Sequence, residues 1–309
     1  MIRVAEAVQA ALAQGAPIVA LESTVLTHGL PRPGNLELGR RLEAVVRESG
    51  AVPATVAVVR GELTVGIGDD DMQRLAETEV AKASLWNLAG LIATGADAGT
   101  TISTTLHAAA RAGIATFATG GLGGVHEGGF DISADLTALA RESVLTVCSG
   151  PKSVLDAAAT LERLETLGVP VAGWRSDTLA GFLTADTGLA LALRCDDADS
   201  VASLLHAQRD AGLPAGIVLS RSEEDALDPE TLGQLTAAAR SDAAAAGVHG
   251  KDVTPFLLRR LAERSDGATV RVNLRLLEGN ARLAAEIAQA IAAQRERRAA
   301  TTSPNEVPA

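Results

Sequence analysis

The sequence has very few aromatic residues. Phe, Trp and Tyr make up 2% of its 309 residues, and tyrosine is absent. Proteins that hold nucleic acid stack its bases on aromatic rings and meet its phosphates with positive charge. The net charge here is -11. Both properties argue against a nucleic-acid-binding protein, although an acidic protein can still form a locally positive site for a small anion.

Cysteines and long apolar runs are scarce too. Two cysteines, Cys148 and Cys195, are too few for a disulfide framework or a zinc cluster. No segment approaches the roughly 20 consecutive apolar residues that span a bilayer. The N-terminal segment also lacks the uninterrupted apolar core of a signal peptide. We therefore expect a reduced, cytoplasmic protein with no membrane partner.

What the sequence does contain is an alternation of helical and strand-like segments. Apolar residues make up 47%, enough for a large core. Helical periodicity predicts helices over 2–14, 35–49, 101–112, 133–141, 152–167, 197–211, 229–246 and 269–296. Short apolar runs predict strands over 17–21, 55–60, 114–118, 144–148, 169–173, 189–193 and 216–219. Such alternation indicates an α/β fold with a largely parallel sheet.

The organisation along the chain predicts one domain. Residues 62–65 follow Arg60 and Gly61 and could pair back as a hairpin, which would make the sheet mixed. No internal repeat or linker rich in Pro, Ser or charge interrupts residues 1–293, and 294–309 read as a frayed or disordered tail. The irregular stretch 175–187 is interpreted as a loop over a site.

Glu22 is the first candidate for chemistry. It ends the apolar run that begins at Ile18, and functional groups gather at the carboxyl ends of parallel strands. A carboxylate there could exchange a proton with a substrate, or it could be an ordinary solvent-facing charge. The position alone does not separate the two.

The segment 119–136, TGGLGGVHEGGFDISADL, is rich in glycine and carboxylates. Its six glycines would let a ligand approach the backbone, but their order matches neither a P-loop nor a dinucleotide fingerprint. Asp131 and Asp135 are spaced to share one face at a helix start, where the helix dipole favours them. Together with His126 they could instead hold a hard divalent ion.

Lysines and a hydroxyl-rich helix start add further candidates. Lys152 follows the strand 144–148 and Pro151, which suits the first helical position, so we expect it in the first turn of a helix. A cation there opposes the helix dipole and loses its proton more readily, which favours an amine nucleophile. Thr101, in AGTTISTT (98–105), opens a helix that could bind a phosphate, or simply cap it. From the local pattern alone Lys82 is most simply a solvated surface residue, whereas Asn273 and Asn280 could either bind polar edges of a ring or satisfy neighbouring backbone.

Several long segments, taken in order, resemble the pseudouridine-5′-phosphate glycosidase family, also called indigoidine synthase A-like. They are ALESTVLTHGLP (20–31), AGTTISTT (98–105), FATGGLGGVHEGGFDISADL (117–136), CSGPKSVLDAAATLERLETLGVPVAGW (148–174), GKDVTPFLL (250–258) and VNLRLLEGNARLAAEIA (272–288). The resemblance runs from about residue 4 to residue 290. It implies a three-layer α/β/α fold, a homotrimer, a divalent metal (Mn²⁺ or Mg²⁺) and ribose 5-phosphate chemistry.

The resemblance also implies residue roles. It places the nucleophile at Lys152, the proton donor at Glu22 and the metal ligand at Asp131. It places substrate contacts at Lys82, Ile102, Ser133, Ala134 and Asp135, and we add Thr101, His126 and Asn273 as site members. The family's reaction makes or breaks a C–C glycosidic bond through a lysine imine of the open-chain sugar.

The sequence departs from the family's pattern beside the presumed aglycone. Trp86 and Asn87 replace an arginine-aspartate pair, and residues 179–183 and 219–223 also differ. Because Trp86 would suit a larger flat aglycone, the first hypothesis is a C-glycosynthase of the alnumycin biosynthesis type, joining ribose 5-phosphate to an aromatic carbon in antibiotic biosynthesis. The alternatives are a pseudouridine-5′-phosphate glycosidase that releases uracil, and a non-catalytic sugar-phosphate sensor.

Overall fold

A central sheet of eleven strands organises the protein. The structure, a computed structural model, describes residues 2–248 and 253–302. The strands are β1 (Ile2–Val4), β2 (Ile18–Glu22), β3 (Val52–Val59), β4 (Glu62–Val65), β5 (Ala81–Ala83), β6 (Ala98–Thr100), β7 (Thr116–Ala118), β8 (Leu145–Cys148), β9 (Val171–Trp174), β10 (Leu193–Cys195) and β11 (Ile217–Ser220).

Helices connect most of these strands. They are α1 (Glu6–Ala13), α2 (Gly34–Glu48), α3 (Asp69–Glu77), α4 (Leu88–Ala93), α5 (Ile102–Ala112), α6 (Ala134–Arg141), α7 (Ala157–Thr166), α8 (Ala198–Asp210), α9 (Pro229–Ala245), α10 (Val253–Arg264) and α11 (Ala268–Thr302), with a π-helical turn at Val25–Gly29. The alternation of the two element types agrees with the sequence prediction.

The sheet is mixed and largely parallel, as predicted. Its strand order is β1-β4-β3-β2-β7-β8-β11-β9-β10, with β6 beside β3 and β5 beside β6. Only the β3–β4 and β3–β6 pairs are antiparallel. The predicted hairpin is confirmed: Arg60 and Gly61 both have positive φ, 51° and 75°, as the tight type I′ turn requires.

The core lies on both faces of the sheet. Along β2, Val19 and Leu21 pack with α2, α8, α9 and α11, whereas Ile18 and Ala20 pack with α1, α5 and α6. This alternation follows from the two-residue repeat of a strand. The three-layer α/β/α prediction is confirmed.

Three element predictions are wrong in their bounds. The first helix begins at Glu6, because Ile2–Val4 pair with β4 as an edge strand. The predicted strand 189–193 lies mostly in a loop, and β10 begins only at Leu193. The helix predicted over 152–167 begins at Ala157, where the side chain of Asp156 caps it by accepting from the Ala159 amide.

The C-terminal helix α11 is longer than predicted. It is helical to Thr302, so residues 294–302, assigned above to the tail, continue the helix; residues 303–309 lie outside the described residues. Ion pairs of Arg297 with Asp199 and of Arg298 with Asp210 hold its end against α8. Among the described helices, none is long and apolar enough to cross a membrane.

Candidate active site

One cavity of about 200 Å³ gathers nine of the eleven predicted site residues. It opens at the carboxyl ends of β2, β7 and β8, where the loops of neighbouring parallel strands meet. The predicted residues that line it are Glu22, Lys82, Thr101, Ile102, His126, Asp131, Ser133, Asp135 and Lys152. Residues more than a hundred positions apart are therefore brought into one site.

Glu22 is held by hydroxyl groups. It is the last residue of β2, and its two carboxylate oxygens accept hydrogen bonds from the hydroxyls of Thr24 and Thr119. The strand fixes its backbone and the two threonines fix its side chain. The geometry thus presents one carboxylate at a defined place in the cavity wall.

Lys152 lies on a loop that is bonded to the glycine-rich segment. The Lys152 amide donates to Leu122 O at 3.0 Å, and the Leu122 amide donates to Gly150 O at 2.9 Å. The expectation that Lys152 sits in the first turn of a helix is wrong, because α7 begins five residues later at Ala157. The helix dipole therefore does not account for a reactive amine at Lys152. Any chemical role of this residue depends on its position in the cavity.

The glycine-rich segment is clamped by Asp135. The Asp135 carboxylate accepts from the Gly123 amide at 3.1 Å and from the Ser103 amide at 3.0 Å, so it joins this segment to the start of α5. A side chain at 123 would overlap Ser133 Oγ and Asp135 Oδ2, at 2.3 and 2.5 Å from its Cβ. This position therefore needs glycine.

Asp131 and Asp135 do not share a helix face as predicted. Ser133 caps α6, which begins at Ala134, so Asp135 is in the first turn while Asp131 remains in the loop before it. Both carboxylates nevertheless line the cavity. Asp131 is about half exposed, and its Oδ2 lies 3.8 Å from His126 Nε2, whose ring also contacts the Thr254 hydroxyl at 3.3 Å.

The described residues contain no cluster of three or more His, Cys, Asp or Glu side chains that could enclose a metal ion. A single carboxylate is still a common protein ligand of Mg²⁺-like ions, which complete their shell with water and substrate phosphate. Asp131 has the exposure and the oxygen donors for that kind of site. The residues present therefore fit a divalent ion that is coordinated partly by water and substrate, and they do not fit an ion enclosed by protein ligands.

Lys82 reaches the cavity from β5, and a turn stabilised by Asn87 follows it. The Asn87 side chain donates to Lys82 O at 3.0 Å and accepts from the Ser84 amide at 2.8 Å. Nearby, desolvation and the charge of Lys82 lower the pKa of His28 to about 4. The charge of Lys82 therefore contributes to keeping the His28 ring neutral, after the larger effect of desolvation.

Trp86 does not line this cavity. It is 79% exposed on the turn that Asn87 organises, so this cavity gives no support to the interpretation that Trp86 faces the aglycone. Ala134 and Asn273 are not among the lining residues either. Ala134 begins α6 between two residues that are, and the Asn273 side chain lies against Gly120.

Some lining residues were not found from the sequence. Thr24, Ser84 and Leu155 each lie within three residues of a predicted one, so neighbourhood was a usable signal. Thr254 and Pro255, at the start of α10, belong to the segment GKDVTPFLL that carries the family resemblance, but no local pattern placed them beside His126. The preceding part of that motif, Gly250–Asp252, lies outside the described residues.

A second cavity of about 490 Å³ adjoins the first at Lys152 and Leu155. The irregular stretch 175–187 contributes Gly181, Thr184, Asp186 and Thr187 to this second cavity rather than to the first. That stretch therefore borders the loop that carries Lys152, and the Ser153 hydroxyl donates to Gly181 O at 2.8 Å.

Cysteine chemistry can be set aside. Cys148 ends β8 close to the site but is buried, and burial raises the pKa of its thiol to about 12. Burial also raises the pKa of Cys195. Since the thiolate is the nucleophilic form, neither residue is suited to attack a substrate at neutral pH.

Comparison with known proteins agrees with this arrangement. The family model described as indigoidine synthase A like protein matches residues 7–290. A pseudouridine-5′-phosphate glycosidase of Thermus thermophilus is 51% identical over 276 residues, covering 89% of this chain and 98% of the relative. Another, of Salinispora tropica, is 48% identical over 291 residues, covering 92% and 90%.

Two solved structures share the fold. The prealnumycin C-glycosynthase AlnA, in complex with ribulose 5-phosphate, superposes with a TM-score of 0.89 at 35% identity, covering 96% of this chain and 99% of that one. An indigoidine synthase A-like protein of Thermotoga maritima gives a TM-score of 0.84 at 32% identity, covering 93% and 96%.

Proposed function

This chain belongs to the indigoidine synthase A like family, and we propose that it cleaves pseudouridine 5′-phosphate reversibly into uracil and ribose 5-phosphate. The observation that carries the proposal is that Lys152 and Glu22, an amine and a carboxylate, line one small cavity. The relatives at 51% and 48% identity named pseudouridine-5′-phosphate glycosidase support the same reaction.

The scarcity of lysine supports a chemical role for the amines. The chain has only three lysines among 27 Lys and Arg residues, and two of them, Lys82 and Lys152, line the cavity, while Lys251 lies outside the described residues. Arginine therefore supplies nearly all of the positively charged side chains of this chain. An amine can add to a carbonyl-level carbon and form an imine, which a guanidinium does not do, so lysine suits this site specifically.

The proposed reaction begins at the sugar C1′. The neutral amine of Lys152 forms a bond to C1′ as the bond from C1′ to the ring oxygen breaks, and the ring oxygen takes up the proton that the nitrogen loses. The C1′–C5 bond to uracil then breaks, its electron pair goes to C5, and Glu22 donates a proton there. As that bond breaks, the nitrogen lone pair of Lys152 forms a double bond to C1′ and gives an iminium. Water then hydrolyses the iminium to ribose 5-phosphate and the free amine.

Substrate binding is assigned to the opposite wall. Lys82 and the start of α5, with Thr101 and Ile102, offer a positive charge, a hydroxyl and helix-terminal amides, the groups that hold a phosphate. Asp131 would hold a divalent ion, and when bound the ion would neutralise phosphate charge. We expect added Mn²⁺ to raise activity and a chelator to lower it.

The assembly is proposed to be a homotrimer, as the family resemblance implies. Phe130 is fully exposed on the loop between His126 and Asp131, and a partner subunit packed there would remove its apolar surface from water. Light scattering of the purified protein should give three times the chain mass of 31.5 kDa. A mass of one chain would contradict the proposed trimer.

An aromatic C-glycosynthase remains the second candidate. AlnA supports it at 35% identity, but the glycosidase relatives are closer in sequence, and Trp86 gives it no support from the cavity. A sugar-phosphate sensor would not need both Glu22 and Lys152 in one cavity, so it ranks third.

The test is a chromatographic assay of pseudouridine 5′-phosphate with the purified protein and Mn²⁺. Release of uracil and ribose 5-phosphate is expected. Turnover of ribose 5-phosphate with an aromatic polyketide and none with pseudouridine 5′-phosphate would transfer the assignment to the second candidate, and no turnover of either would favour the sensor.

A further inference from the structure

One fully buried amide, Asn280 on α11, contacts both loops of the candidate active site. Its Nδ2 donates to Thr119 O at 2.8 Å and lies 3.4 Å from Gly120 O, both in the loop after β7. It also meets the hydroxyl of Ser149, which follows β8, with Nδ2–Oγ and Oγ–Oδ1 distances of 3.1 and 3.3 Å.

Each of these contacts is one step from a reacting group. The hydroxyl of Thr119 donates to the Glu22 carboxylate. Ser149 begins the turn that ends at Lys152, and its amide donates to Gly120 O at 2.9 Å. Asn280 therefore lies where the support of the proton donor and the support of the amine meet.

An amide at this place is not explained by packing. The surrounding face of α11 is apolar and buried, with Leu276, Leu277, Ala281 and Ala284. A buried amide is favourable only when its hydrogen bonds are made, and the carbonyls it serves would lose a donor if it were apolar. Its polar atoms all point to the two loops, so its structural effect is concentrated there.

We propose that Asn280 is a positioning residue that fixes the Lys152 amine relative to the Glu22 carboxylate. The inference rests on the proposed function, because it assumes that these two groups act on one substrate. Misplacement of a reacting group by about 1 Å can lower a rate about 10²-fold without loss of binding. The hydrogen bonds of Asn280 go to Thr119, Gly120 and Ser149, which are not among the substrate contacts assigned to Lys82 and α5.

The experiment compares Asn280→Ala with Gln208→Ala. Gln208 is a matched control, because its buried amide also donates to a backbone carbonyl, Ala215 O at 3.3 Å, but on α8 away from both loops. For Asn280→Ala we expect kcat for pseudouridine 5′-phosphate to fall about 10²-fold while KM changes less than about threefold. Gln208→Ala should keep the parent kcat.

A second readout separates positioning from general destabilisation. Borohydride trapping of Lys152 with ribose 5-phosphate should slow in Asn280→Ala but not in Gln208→Ala, at a temperature where circular dichroism shows both variants folded. Equal kcat and trapping rates in parent and Asn280→Ala would overturn the proposal, as would equal losses in the two variants.

A milder variant covers the case in which Asn280→Ala does not fold. Ser149→Ala removes one of the two loop contacts of Asn280 and leaves the bond to Thr119 O, so its kcat should fall, again at nearly constant KM. An unchanged kcat in Ser149→Ala would then count against the proposal. If the parent itself neither turns over pseudouridine 5′-phosphate nor traps ribose 5-phosphate, it is the proposed function that fails.

Discussion

Two residues of the cavity, Lys152 and Glu22, are assigned to different bonds, and this division is testable at the residue scale. Imine formation with free ribose 5-phosphate needs the amine of Lys152, whereas release of uracil also needs the Glu22 proton. Glu22→Gln should therefore still trap ribose 5-phosphate with borohydride and yet lose about 10²- to 10⁴-fold in uracil release. Lys152→Arg should lose both, and loss of trapping in Glu22→Gln would contradict the division.

His28 gives a residue-scale prediction about stability. Its pKa is lowered from 6.5 to about 4, so below pH 6.5 the unfolded ring binds a proton that the folded ring does not. The free energy of unfolding should therefore fall as the pH drops from about 6.5 to about 4, by less than the ~1.4 kcal/mol per pH unit of a fully shielded group.

Replacement of His28 by glutamine should flatten this part of the pH profile. Urea denaturation of parent and His28→Gln across the same range measures the difference. Parallel profiles for the two proteins would show that the ring titrates alike in the folded and unfolded states.

At the residue scale the sequence predicted which residues line the cavity better than it predicted their local structure. Lys152 was predicted as a site residue because it was expected in the first turn of a helix. That expectation is wrong, since residues 149–156 form a loop and α7 begins only at Ala157. Asp131 and Asp135 were found as a pair, although the Ser133 cap separates them. Residue spacing alone does not show where a helix begins when the sequence offers an early turn and also a capping residue a few positions later.

At the scale of elements, the turn after β8 requires glycine at position 150. Gly150 has φ +82°, and a Cβ there would lie 2.0 Å from Ala180 O. Gly113, at the end of α5, has φ +83° with open space around it. Both Ala variants carry a left-handed strain of roughly 1–2 kcal/mol, but only Gly150→Ala also moves the loop of Lys152.

We therefore expect both variants to unfold more readily and only Gly150→Ala to lose kcat, by about 10²-fold. Thermal unfolding and steady-state assays of the two variants separate strain from displacement. A similar kcat loss in Gly113→Ala would mean that strain anywhere in the molecule suffices.

The clamp between α5 and the glycine-rich segment gives a second prediction at this scale. Asp135→Asn removes the charge that two amides share and turns an NH₂ group toward one of them, so it should lower the free energy of unfolding by ~2 kcal/mol. Asp131→Asn, at an exposed carboxylate, should leave stability unchanged and abolish the response to Mn²⁺. Denaturation and metal titration measure the two effects. A loss of stability in Asp131→Asn and a loss of the Mn²⁺ response in Asp135→Asn would contradict the assigned roles.

Prediction of helices and strands from the sequence succeeded for elements long enough to show a hydrophobic period. The long helices α2, α5, α8 and α9 were found to within about a turn. The strands β5 and β6 have three residues each, too few for an alternation, and they were missed. The local pattern of Lys82 therefore indicated only a solvated surface residue, because the strand that carries it to the cavity was not predicted.

At the scale of the whole molecule, the sheet order creates the site. β2, β7 and β8 are neighbours although about 120 residues separate the first from the last, so Glu22, Thr119 and Ser149 meet at one edge. Alternating elements predicted a parallel sheet but not its order. The helices α10 and α11 then bring Thr254 and Asn280 to this edge, and the local sequence pattern could not predict that placement.

The central claim is that Lys152 takes the sugar from a carbon-linked base. Its most direct test is to incubate the protein with pseudouridine 5′-phosphate, reduce with borohydride, and map the modified peptide by mass spectrometry, a clean measurement in a chain with three lysines. We predict a reduced ribose 5-phosphate adduct without uracil on Lys152. An adduct confined to Lys82, or no adduct while uracil is released, would contradict the account.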